Sequence, residues 1–103
     1  MLKLKDYPRE IQVGEALWEV RFVRQLEESD PARITWGLCD PSDQIIYIRL
    51  GQSQGERLKT FLHELLHAIE YEYKITMPHR LIHKLEDPLA RFLMDNYLGG
   101  AAS

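Results

Sequence analysis

The chain has 103 residues, 45% of them hydrophobic and 28% charged, with a formal net charge of -3. That is the size and composition of one small globular domain, and it excludes disordered and collagenous classes. Residues 1–50 carry seven Lys/Arg against nine Asp/Glu and residues 51–103 carry six against seven, so no half advertises a basic face and no direct nucleic-acid binding is expected.

From Ala16 to Leu26, Trp18, Val20 and Phe22 alternate with Glu19 and Arg21, the period of a half-buried strand. Glu27 to Pro31 reads as a polar turn, Arg33 to Cys39 as a second strand rich in β-branched and aromatic residues, and Asp40 to Asp43 as another turn. Gln44 to Leu50 is predicted as a third strand, which makes the simplest sheet an antiparallel three-stranded meander. The period then changes. Ser53 and Glu56 form a capping-box pattern, and Leu58, Phe61, Leu62, Leu65, Leu66 and Ile69 mark a helix from about Gln54 to about Tyr73. After a short link, Pro78 suits the first turn of a second helix. Pro88 is expected to kink that helix or restart it with Asp87 as a cap, and Gly99 to end it. The expected fold class is therefore α+β, a small sheet followed by two helices, in a single domain over residues 1–98 with a short tail at 99–103.

The first helix carries His63-Glu64-Leu65-Leu66-His67, an H-E-x-x-H string. Residues i and i+4 of a helix point the same way, so two imidazoles can face one tetrahedral metal, zinc above all. Glu64 beside the first of them is placed to act as general base on a water whose pKa the metal lowers. With four His and ten Glu in the chain, shuffling produces the string in about one sequence in a hundred. A catalytic zinc needs a third protein ligand and an open position. Spacing leaves that ligand open: an antiparallel hairpin favours His83 or Glu86, with Asp87 a further carboxylate, and a shorter first helix favours His79. Tyr71, Tyr73 and Arg80 follow the motif and are candidates to stabilise an oxyanion. Cys39 as a fourth ligand would instead close the site. Trp18 and Trp36 read as core residues.

Gly37-Leu38-Cys39-Asp40 and Ile45-Ile46-Tyr47-Ile48, followed by Leu58 to Ile69 around the motif, resemble compact phage and bacterial metallopeptidase domains. These form the minimal gluzincin-like group, with SprT-like and ImmA/IrrE-like proteins as larger relatives. The resemblance covers about residues 16–97, and its specific motif is the H-E-x-x-H string. It implies a zincin-like fold and a third ligand, often Glu and in SprT-like proteins His, opening the helix after the active one, with apolar residues at +3 and +6. His79, Ile82 and Leu85 match that register, as do Glu86, Leu89 and Phe92. On that resemblance His79 is the preferred third ligand, Glu86 the alternative.

The expected function is zinc-dependent hydrolysis of peptide bonds in a peptide or protein substrate, which would add as an extra strand along residues 44–50. A catalytically inactive, metal-stabilised protein-binding module, phage-encoded in one version, is the rival from another class. With Cys39 as the only cysteine, no signal-like apolar stretch at the N-terminus and no run of membrane-spanning length, the chain reads as cytoplasmic, with no membrane partner.

Overall fold

The computed structural model describes residues 3–27 and 34–97. Four strands, β1 (Glu10–Val13), β2 (Ala16–Val23), β3 (Gly37–Asp40) and β4 (Ile45–Arg49), precede two helices, α1 (Gln54–Tyr73) and α2 (His79–Asn96). The class is α+β, as expected, but the sheet differs from the three-stranded meander in both strand number and direction. Its order is β1-β2-β4-β3. β1 and β2 form an antiparallel hairpin, β3 and β4 another, and β2 pairs with β4 in parallel.

Both differences have local causes. Glu10-Ile11-Gln12-Val13 alternates apolar and polar residues and leads into Gly14-Glu15, where Gly14 takes φ +61, a backbone that glycine adopts without steric cost. That pattern is a hairpin signal, and it adds β1 ahead of the expected first strand. The parallel pair follows from the connection: residues 24–44 separate β2 from β4 and include β3, a length that allows a crossover where a meander would need a tight turn. The crossover carries β3 to the outside, and β4 inserts between it and β2. At the β3–β4 turn Asp40 Oδ1 accepts the N–H groups of Ser42 and Asp43 at 3.1 and 3.3 Å, an Asx-type turn. The expected substrate shelf on residues 44–50 is corrected by this order, because β4 has a hydrogen-bonded neighbour on each side; among the described residues the edge strands are β1 and β3, and β3 is the one that passes the motif on α1.

One sheet face packs on α1 through Val13, Trp18, Val20, Ile46, Ile48 and Ala68. A second cluster of Tyr7, Leu58, Leu62 and Ala90 joins the two helices. On the opposite sheet face Leu17 and Leu38 remain exposed, and no described element covers them. Trp18 is core, as predicted, with no accessible surface. Trp36 is 41% exposed, its ring under the Arg49 guanidinium.

α1 has the predicted bounds. Ser53 caps it by accepting the Glu56 N–H, while the Glu56 carboxylate pairs with Lys59. α2 runs through Pro88 instead of restarting at Asp87. Ile82 and Ala90 are buried on either side of the proline, and Lys84, whose carbonyl loses its helical donor, is exposed, so water can solvate that carbonyl and packing holds both halves. α2 ends at Asn96, and the expected stop at Gly99 and the tail lie outside the described residues.

Candidate metal centre

α1 presents His63, Glu64 and His67 to the cleft between the sheet edge and α2. The helix stops one turn after Glu70: Lys74 takes the left-handed conformation at φ 55, and the N–H groups of Lys74 and Ile75 both donate to the Glu70 carbonyl. Four residues later Pro78, in extended conformation, starts α2. His79 is thus the first residue of a helix that turns back over α1.

Three imidazoles converge there. The His63 Nε2 lies 3.2 Å from His67 Nε2 and 3.2 Å from His79 Nε2, and the three donor atoms lie within 4.8 Å of one another. Two nitrogens held about 2.0–2.1 Å from one tetrahedral ion are themselves about 3.3 Å apart. Hydrogen bonding accounts for the other sides of two rings, since His63 Nδ1 meets Glu86 Oε2 at 2.8 Å and His67 Nδ1 meets Glu70 Oε1 at 2.8 Å. A ring that donates its Nδ1–H to a carboxylate carries a lone pair on Nε2. Two such lone pairs at 3.2 Å repel each other unless a proton or a metal cation lies between them, and the three-nitrogen donor set fits a zinc ion.

The structure brings His63, His67 and His79 together and gives Glu86 a different neighbour, the back of the His63 ring. A second grouping able to hold an ion, His63 with His83 and Glu86, shares His63 with the first. In it His83 Nδ1 is 3.5 Å from Glu86 Oε1, and the His83 side chain is largely exposed. Cys39 belongs to neither grouping among the described residues. Burial, with Glu64, Asp40 and Glu70 nearby, pushes its thiol up to about 12, so it stays protonated beside the site. Tyr71 lines the cleft, whereas Tyr73 and Arg80 are exposed and do not line it.

Glu64 is the one charged residue buried among the described residues. Burial, reinforced by the nearby Glu86, pushes its carboxyl up to about 7, near the value suited to a group that takes and returns protons at neutral pH. Burial, with the His67 and His79 rings adding, pushes His63 toward its neutral form against the pull of Glu86. Glu70 is held below the usual carboxylate range, chiefly by the Met77 N–H and then by His67.

Two contributors lie outside the residues that the motif singles out. Glu70 stands three residues after His67, on the same helical face, and its other oxygen accepts the Met77 N–H. Gly37 lies where β3 passes α1: a Cβ there would sit 2.6 Å from Thr60 Cγ2 and 2.8 Å from Glu64 Oε2. A glycine inside a strand is a signal of close approach, and here the approaching group is the carboxylate of the motif.

The centre opens on a cleft of about 610 Å³ that holds His63, Glu64, His67 and Glu70. A smaller hollow of about 330 Å³ on the other side of Gly37 shares His63 and Glu64 with it. No protein-family model matches the chain, and searches of curated proteins and of solved structures return no match.

Proposed function

We propose that this chain is a zinc-dependent peptidase of the compact gluzincin-like kind, with Glu64 as general base. The observation that supports this most is the convergence of the His63, His67 and His79 Nε2 atoms at 3.2 Å spacings next to a buried carboxylate. Zinc held by His63, His67 and His79 would supply a Lewis acid that polarises the scissile carbonyl and lowers the pKa of a water. Glu86 and Glu70 hold the His63 and His67 rings by Nδ1, which leaves Nε2 as the atom that would bind the metal. Glu64 takes the proton of the attacking water and returns it to the departing amine. The free edge of β3 offers backbone groups to an extended peptide, which aligns it along the cleft beside Glu64.

The test is a broad peptide library incubated with zinc-loaded wild type and with Glu64→Gln. The variant keeps its zinc and its circular dichroism and cleaves about 10²- to 10⁴-fold more slowly. A wild type that carries one zinc and cuts no member of the library would instead be a metal-stabilised binding module.

A further inference from the structure

The cleft has two unequal ends. β3 and α1 run side by side in the same sense, so that Gly37 meets Thr60 and Glu64 while Pro41, just past β3, shares a cavity with Tyr71 near the end of α1. The hollow beyond Gly37 holds Trp36 together with the charged or titratable side chains Glu56, Lys59, His83 and Glu86. The larger cleft at the Pro41 end is walled by Pro41, Tyr71 and Ile75. Tyr71 and Ile75 are 54% and 49% exposed, yet both are held in place. The Tyr71 ring meets the fully buried Trp18 edge-on, with centroids 6.3 Å apart, and Glu72 accepts the Trp18 indole N–H at 2.7 Å. The backbone of Ile75 is anchored through its N–H, which donates to the Glu70 carbonyl at 3.1 Å. Apolar side chains carried on an anchored backbone at the mouth of a polar site offer a surface for an apolar group.

Direction follows from strand pairing. An incoming peptide pairs more stably antiparallel than parallel, so the part of it that precedes the scissile bond lies toward the C-terminal end of β3, where Pro41, Tyr71 and Ile75 stand. We propose that Tyr71 and Ile75 form a specificity pocket for a large apolar side chain, of Leu, Met or Phe type, on the N-terminal side of the scissile bond. The proposal rests on the peptidase reading for its orientation, and its test separates the two.

The probes are hydroxamates, which bind through the metal whether or not the protein turns over peptides. N-acyl-leucine hydroxamate carries its side chain on the N-terminal side of the chelating group and is compared with N-acyl-aspartate hydroxamate on the zinc-loaded protein. The leucine compound binds roughly 10- to 100-fold more tightly, and the ratio falls toward one in Tyr71→Ser/Ile75→Ser. Because Tyr71 touches Trp18, Ile75→Ser alone serves as the second variant and reduces the ratio with the fold unchanged. Equal affinities in wild type, a ratio indifferent to both variants, binding of neither compound, or a gain seen only when the isobutyl group is moved to the C-terminal side of the chelator overturns the pocket. A leucine preference in a protein that cuts no peptide leaves the pocket standing and removes the peptidase reading. Cleavage with no preference for a preceding apolar residue does the reverse.

Discussion

The carboxylate of Glu70 accepts the backbone N–H of Met77 at 2.6 Å and so fastens the end of α1 to the segment that delivers His79. Its other oxygen meets His67 Nδ1. A single side chain therefore sets both the ring of one imidazole and the position of another. Replacing it with alanine is expected to weaken zinc binding about 10- to 100-fold, read by competition with a chromophoric chelator. Glu70→Gln keeps an oxygen for Met77 and lies between alanine and wild type. Unchanged zinc affinity in Glu70→Ala would break this connection.

The residues around His63 are expected to rank in a definite order. His79→Ala releases zinc at the lowest chelator concentration, because it removes one of three converging nitrogens. Glu86→Ala follows with a milder loss, because it frees only the far side of the His63 ring. His83→Ala stays close to wild type, its side chain being more than half exposed. If Glu86→Ala were the most damaging, the ion would belong to the grouping of His63, His83 and Glu86.

Gly37→Ala tests the wall behind the Glu64 carboxylate. The added Cβ would fall 2.8 Å from Glu64 Oε2 and 2.6 Å from Thr60 Cγ2, closer than non-bonded atoms settle. We expect a loss of about 1–3 kcal/mol in urea unfolding and, on the proposed peptidase function, a drop in peptide turnover larger than the drop in zinc affinity, since Glu64 moves and the imidazoles do not. Wild-type stability and turnover together would show that β3 shifts outward without cost.

Much of this architecture is legible in the residues. The period of Leu58, Phe61, Leu62 and Leu65, the Ser53 cap and the i, i+4 histidines are enough to place α1 and two donor nitrogens. The sheet is harder to read because strand order is a matter of non-local pairing. Consecutive strands are neighbours often enough to suggest a meander, and nothing inside Ile45–Arg49 says that β2 will pair along its other side. The third histidine is ambiguous for a similar reason. Its place depends on a left-handed Lys74 and on the Glu70–Met77 bond, both of which act through backbone geometry that side-chain periodicity does not encode.

Tyr7 gives a pH dependence with a defined sign. Burial pushes its hydroxyl from 10.0 up to about 12, with Arg57 opposing, and no described residue accepts a hydrogen bond from it. Below pH 10 both folded and unfolded chains keep the proton. Above it the unfolded chain loses the proton first, so stability drains as pH rises from 10 toward about 12, by up to roughly 3 kcal/mol. Tyr7→Phe is expected to flatten this part of the urea-midpoint profile and to be neutral or stabilising by about 1 kcal/mol at pH 7. Parallel profiles for variant and wild type would exclude Tyr7 as the source.

The parallel pairing of β2 with β4 also sets an order of assembly. The β1–β2 and β3–β4 hairpins and the α1–α2 pair are each made of sequence neighbours, but β3 joins the sheet only through β4, and β4 reaches β2 across residues 24–44. Loop closure must precede that pairing. As the chain leaves the ribosome, β2 has one strand edge without a partner until Arg49 has emerged, and α1 comes later still. The nascent hairpin is therefore open to strand pairing with other copies until β4 arrives, and the cleft around His63 and Glu64, whose far wall is β3, closes only when synthesis of the helices is nearly done.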